Sequence, residues 1–178
     1  GGTVEFWEQR GWADRQDIQI TLLNLFPASR IHGRVLSVVG DATDLSGFPD
    51  QSVDIVFSNS VIEHLFDREH QKRMANEVVR VGRDYWLQTP NRWFPMEPHF
   101  QVPLWQFLPR SLRVRILMKR QCGRRGPCGT REEAERLIDE VSLLTRGELV
   151  AFFPDAQIVP ERLGGLVKSW IVHSRFAR

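Results

Sequence analysis

Glu63 and His64 are the pair in this chain most suggestive of chemistry, because of what precedes them. The run Val53-Asp54-Ile55-Val56-Phe57 is apolar, stops on the small polar residues Ser58-Asn59-Ser60, and passes through Val61-Ile62 into Glu63-His64-Leu65. In an open α/β sheet, ligands sit outside the carboxyl ends of parallel strands, so a polar strand end is where a site is placed. The spacing therefore predicts a site around Ser58 to His64. Histidine titrates near neutral pH, which makes His64 and the more distant His99 candidates for acid–base work. Cys122 and Cys128 lack C-x-x-C spacing and a second pair to complete a zinc site, and they read as free thiols.

Such residues need elements to hold them. The β-branched and apolar run Asp17–Leu25 ends before Pro27 and reads as a buried strand. Val35–Val39, followed by Gly40-Asp41, reads as a second, and Val53–Phe57, after the turn signal Gly47-Phe48-Pro49-Asp50, as a third. Short, nearly continuous apolar runs suit strands covered on both faces. Met74, Val78 and Val81 recur at helical spacing within a helix expected over Arg68–Val81, with Gly82 as its stop. Tyr85–Gln88 reads as a fourth strand ending at Thr89-Pro90-Asn91. Strands alternating with helices imply βαβ crossovers and a doubly wound, mostly parallel sheet. Gln157–Leu163, Gly164-Gly165 and Val167–Ser174 read as an antiparallel hairpin at its edge.

From Arg92 to Pro109 the chain concentrates tryptophan, phenylalanine and proline, and the prolines exclude one long helix. This stretch is expected to be a packed loop or lid over the strand ends. Residues 110–120 form a basic amphipathic stretch with Leu112, Ile116 and Leu117 facing inward; its functional reading is a membrane-surface or nucleic-acid contact, its plain reading a solvated helix face. Further helices are expected from Glu132 to about Val141 and from Thr145, as N-cap, to Pro154.

At 178 residues, 42% hydrophobic and 26% charged, the composition is that of one globular domain, 1–178, within which 92–130 is a lid or insert. A formal charge of +2 is too mild to imply a nucleic-acid partner. No segment approaches the roughly 18 apolar residues of a membrane helix, and no signal core is visible, so a cytoplasmic location is expected.

Gly40-Asp41-Ala42, then Phe48 to Asn59 and Glu63-His64-Leu65, resemble the adenine-side and post-strand-four motifs of class I S-adenosylmethionine-dependent methyltransferases, in particular the methyltransferase-11 group. Gln88-Thr89-Pro90-Asn91-Arg92-Trp93-Phe94-Pro95 with Glu97-Pro98-His99 resembles a signature of a bacterial subfamily with unassigned substrate. The resemblance implies a Rossmann-like sheet, S-adenosylmethionine as cofactor, and a first strand upstream of residue 1. It makes Gly1 and Gly2 the tail of the glycine turn that approaches the cofactor's carboxylate end. Asn24 takes the place of the usual acidic ribose ligand, and an amide oxygen accepts one bond where a carboxylate accepts two. Asp41 would accept from the adenine amino group with Ala42 donating its backbone N–H, and Ser58, Asn59 and Ser60 would line the cleft by the methionine portion.

Methyl transfer is an in-line attack on a sulfonium-activated carbon, so proximity and orientation dominate and a base is optional. His99 and His64 are the candidate bases, and Asn91, Trp93, Glu97 and His99 the candidate substrate-binding residues. The Glu-x-x-Glu-His pattern with which some small-RNA and quinone-ring O-methyltransferases hold a divalent ion has Ser60 at its first position here, so no metal is expected. The leading expectation is a methyltransferase acting on a small-molecule, carbohydrate- or lipid-linked acceptor. A non-catalytic methyltransferase-like module is the alternative, and an RNA-modifying enzyme, resting on the basic 110–125 region, a third.

Overall fold

The helix expected over residues 68–81 has those bounds in the computed structural model, which describes residues 2–28 and 33–175. Asp67 caps it, its carboxylate accepting the His70 amide at 2.9 Å, and Gln71, Met74, Ala75, Val78 and Val81 form the buried stripe. Around this helix, α2, the chain runs α1 (Val4–Glu8), β1 (Ile20–Asn24), β2 (Val35–Val39), β3 (Val53–Asn59), α2 (Arg68–Val81), β4 (Gly82–Pro90), α3 (Arg110–Lys119), α4 (Arg131–Asp139), α5 (Arg146–Phe152), β5 (Gln157–Leu163) and β6 (Leu166–His173).

The strands form two sheets. β1 and β2 pair in parallel, and a second sheet has the order β3-β4-β6-β5, with β3 and β4 parallel and both β4-β6 and β5-β6 antiparallel. The α/β architecture and the C-terminal hairpin agree with the sequence reading. The hairpin's second strand lies inside, against β4, and β5 forms the edge. The connection between the parallel partners β3 and β4 carries the helix α2, whereas a turn-rich loop joins β2 to β3, which lie in different sheets.

Several boundaries differ from expectation. The first strand starts at Ile20, three residues after Asp17, while β3 and β4 each run on to the polar residues at their ends. Gly82 does not end α2 through a left-handed cap: its φ is −85°, and it is already the first residue of β4. A Cβ there would lie 2.6 Å from the Asp84 carbonyl, so close approach explains the glycine. The cover on both faces expected of the first three strands is missing from β2 and β3, where Leu36, Val39, Ile55 and Phe57 are exposed apolar positions, while β4 is the well-covered strand. Phe57 stacks on Trp86 at 4.9 Å, and α1 brings Trp7 against it at 5.6 Å. In α3 the buried residues are Val114 and Leu117, whereas Leu112 faces out.

Packing gathers into distinct clusters. Ile62, Met74, Val78, Leu87, Leu149, Phe153 and Val172 join α2 and α5 to β4 and β6. A second cluster, with Phe100, Trp105, Leu117, Cys122, Cys128 and Ile138, ties the 92–130 region to α4. Thr145 is the N-cap of α5, as the sequence suggests, and it forms a capping box with Glu148. The charges of the basic region are partly engaged: Arg110 pairs with Asp139 at 2.5 Å and Arg125 with Glu140 at 2.6 Å. Among the described residues no helix is long and apolar enough to cross a membrane.

Candidate functional site

The polar carboxyl ends of β3 and β4 open into a cleft of about 630 Å³. Asn59, Ser60 and Gln88 form its floor, Phe94, Met96 and His99 one wall, and Glu161, Lys168 and Ser169 of the hairpin another. Its position outside parallel strand ends is the one the α/β architecture favours for ligands. Ser60 turns the chain out of β3 with a left-handed φ of 53°. Its amide donates to the Gln88 carbonyl at 3.0 Å and its hydroxyl to Gln88 Oε1 at 3.1 Å, which offsets the cost of that conformation. On the opposite wall Ser169 Oγ bonds to Glu161, and Lys168 Nζ lies 3.4 Å from the same carboxylate.

Behind this floor Glu63 and His64 sit on a 3-10 turn, Ile62–His64, that is anchored from several sides. The Ser142 amide donates to the Glu63 carbonyl at 2.7 Å. Gln71, fully buried, donates from Nε2 to the Ile62 carbonyl at 3.0 Å and to the Ser142 carbonyl at 2.8 Å. Arg68 bonds Gln71 Oε1 at 2.6 Å and pairs with Glu148 at 2.6 Å, extending the brace to α5. Glu63 is itself fully buried; its Oε2 accepts from Thr89 Oγ1 at 2.9 Å, while Oε1 is buried without a partner among the described residues. Burial raises the Glu63 pKa above the ordinary carboxylate range, against the opposing pull of its hydrogen bonds.

His99 enters the same place from the 92–109 segment. Its Nδ1 lies 2.6 Å from Glu97 Oε1, and its Nε2 lies 3.2 Å from His64 Nε2, the rings meeting edge to face. Glu97 is nearly fully buried, and its other oxygen accepts the Phe100 amide at 2.6 Å. Desolvation, then the neighbouring His99, depress the His64 pKa, favouring its neutral form. Gly123 presses this loop into place: with φ of 57°, it approaches so closely that a Cβ would stand 2.7 Å from the His99 carbonyl. No sequence signal marked Gly123, or Glu161, Lys168 and Ser169, as parts of the site; their proximity is tertiary.

The remaining expected site residues fall in different places. Gly1 lies outside the described residues. Asn24, at the end of β1, donates from Nδ2 to the Gly2 carbonyl at 3.1 Å, which leaves its amide oxygen as an acceptor. Asp41 is exposed just beyond β2 and accepts the Thr43 amide at 2.8 Å, with Ala42 between them half-buried. This loop is tied to α2, where Glu77 accepts the Leu45 amide at 2.6 Å and Arg80 donates to the Leu45 carbonyl at 2.8 Å. Asn59 and Ser60 line the cleft; Ser58, on the other face of β3, is buried with its hydroxyl unpartnered. Asn91 is buried and spans two segments, donating to the Val167 carbonyl at 2.8 Å and accepting the Trp93 amide at 3.2 Å. Trp93 is 61% exposed and stacks on Phe107 at 5.7 Å, away from the residues that line the cleft. Thus His99, with Glu97 behind it, is the candidate substrate contact that the fold brings to the cleft.

Known proteins resemble this arrangement. Residues 9–84 match the family model described as "Methyltransferase domain". An uncharacterized protein of Mycobacterium tuberculosis is 34% identical over 77 residues, which are 43% of this chain and 26% of that protein. A probable S-adenosylmethionine-dependent methyltransferase of Mycolicibacterium smegmatis is 38% identical over 66 residues, 37% of this chain and 25% of the relative. The matched stretch therefore spans about a quarter of these curated relatives. Among solved structures, LepI in complex with SAM superimposes with a TM-score of 0.53 at 10% identity, over 96% of this chain and 39% of LepI. The PH0226 protein of Pyrococcus horikoshii gives 0.51 at 14% identity, over 95% and 74% of the two chains. The match to a methyltransferase domain thus covers residues 9–84, and the α/β fold is shared with these solved structures.

Proposed function

We propose that this chain transfers the methyl group of S-adenosylmethionine to a small-molecule, carbohydrate- or lipid-linked acceptor seated in the cleft at the ends of β3 and β4. The observation that carries this reading is the cleft itself: polar strand ends face an imidazole anchored on a buried carboxylate, inside a domain that matches the methyltransferase family. Gly2, Asn24, Asp41 and Ala42 supply the cofactor side, Asn24 and Asp41 through side-chain acceptors at the ends of β1 and β2. Residues 92–130 act as the lid, contributing Phe94, Met96 and His99 to the acceptor wall. An acceptor with an apolar face and a polar end fits Phe94, Met96 and Ile171 opposite Glu161 and Lys168.

In the transfer, an acceptor lone pair forms a bond to the methyl carbon as the carbon–sulfur bond breaks. The bonding pair returns to sulfur, giving S-adenosylhomocysteine. Where the acceptor is a hydroxyl, its proton leaves to a base, and His99 is the imidazole that lines the cleft and can receive it. A reducing cytoplasmic setting suits the two buried free cysteines, Cys122 and Cys128.

Calorimetric titration of S-adenosylmethionine and S-adenosylhomocysteine tests the cofactor half of this reading, with micromolar binding expected. A folded protein that binds neither would instead be a methyltransferase-like module without catalysis.

A further inference from the structure

His64 and His99 meet ring nitrogen to ring nitrogen, and each has already committed its other nitrogen. His64 Nδ1 lies 3.2 Å from the Glu140 carbonyl oxygen, and His99 Nδ1 lies 2.6 Å from Glu97 Oε1. Both partners are acceptors, so both Nδ1 atoms carry the hydrogen. A neutral imidazole holds a single N–H, which leaves a lone pair on each Nε2. Those lone pairs approach to 3.2 Å, a repulsive arrangement unless something positive lies between them. Beside them is the unpartnered Oε1 of the fully buried Glu63, and one ligand atom from each of Glu63, His64 and His99 lies within 4.8 Å of the others.

We propose that Glu63, His64 and His99 bind one divalent transition-metal ion of the zinc or manganese type. Two imidazoles and one carboxylate suit such ions better than calcium or magnesium, which favour all-oxygen shells. The spacing agrees: two nitrogens, each about 2.0–2.1 Å from an ion and at octahedral or tetrahedral angles to it, stand about 2.8–3.4 Å apart. Glu97 completes the arrangement, because a carboxylate bonded to the far nitrogen of a ligating histidine fixes its tautomer and strengthens it as a donor. Three protein ligands leave coordination positions open, and His99 borders the cleft. An ion held there would take over from His99 the task of acidifying an acceptor hydroxyl. That use rests on the methyl-transfer reading; the binding of the ion does not.

The test is calorimetric titration of Zn²⁺, Mn²⁺ and Mg²⁺ into chelator-treated full chain, with elemental analysis for stoichiometry. One Zn²⁺ or Mn²⁺ per chain is expected, at least tenfold tighter than Mg²⁺. His64→Ala and His99→Ala should each weaken it by about 100-fold or more, and Glu97→Gln by about 10–100-fold. Zn²⁺ should also shift the nitrogen NMR resonances of both Nε2 atoms in the unmutated protein, a readout that survives if a variant fails to fold. No binding to the folded chain, binding that these substitutions leave unchanged, or resonances showing one proton shared between the rings in the presence of Zn²⁺ would each overturn the assignment. S-adenosylmethionine titrated into the same samples separates the two readings: cofactor binding without ion binding removes only the metal, and ion binding without cofactor binding removes only the methyltransferase activity.

Discussion

Gln71→Leu isolates the brace that positions Glu63 and His64. Leucine has nearly the volume of glutamine and the same helix tolerance, so no cavity opens and α2 is preserved. What disappears is the pair of donated bonds to the Ile62 and Ser142 carbonyls and the acceptor for Arg68. Each carbonyl keeps one longer partner, the Leu65 amide at 3.3 Å and Arg68 Nη1 at 3.4 Å respectively, so neither is fully orphaned. Taking the low end of the cost of an under-satisfied buried group, roughly 1 kcal/mol for each carbonyl and up to as much again for the guanidinium, the variant should lose about 2–3 kcal/mol. For a domain of this length that lowers the melting temperature by about 4–12 °C. Urea denaturation should show the loss as a shifted midpoint at constant slope. Amide exchange at Ser142, whose N–H bonds to the Glu63 carbonyl, should accelerate with it. A loss below about 0.5 kcal/mol, with Ser142 exchange unchanged, would show that the Ile62–His64 turn is held by packing and not by this amide.

Asp41→Ala should weaken S-adenosylmethionine binding by roughly 10–150-fold, the scale of one hydrogen bond to a charged group, and an unchanged dissociation constant in calorimetry would remove Asp41 from the cofactor site. His99→Ala should lower methyl transfer to a working acceptor while leaving cofactor affinity within about twofold; equal loss of both would make it a structural residue of the lid. Acidification gives a signed expectation at Glu77, whose pKa is lowered, first by its hydrogen bonds from Arg80. Its unfolded-state pKa is near 4.3, so its contribution to stability is fully present above that value and is lost as pH falls through the lower folded-state pKa. Glu77→Gln should therefore flatten the stability profile below about pH 4.3, and parallel profiles for variant and parent would contradict the assignment.

Periodicity alone located α2, because its apolar stripe and its Asp67 cap are local properties of consecutive residues. The same holds for the Thr145–Glu148 capping box and for the glycine-hinged hairpin of β5 and β6. The polar end of β3 directs the sequence reading to Ser58–His64, and in the structure Asn59 and Ser60 line the cleft there. Asp41 and Asn24 are cofactor-side candidates only through the resemblance to methyltransferases, since their local spacing marks no more than residues that follow apolar runs. Other assignments depended on what a segment packs against. Leu112 was read as inward from spacing, but α4 and the 92–130 cluster turn Val114 and Leu117 inward instead. Trp93 and Asn91 are candidate substrate contacts by sequence, whereas in the fold Trp93 stacks on Phe107 and the Asn91 side chain bridges to the Val167 carbonyl.

The sequence by itself determined the element types and the α/β class, because these follow from propensity and from hydrogen-bonding patterns between near neighbours. Only the tertiary structure decided that His99 meets His64, 35 positions away in the chain, and that Glu63 loses water with one oxygen unpartnered among the described residues. It also placed Glu161, Lys168 and Ser169 opposite them. Those proximities are set by long-range strand register and by how the 92–130 segment packs, and a chain of residue types does not encode either in its local spacing.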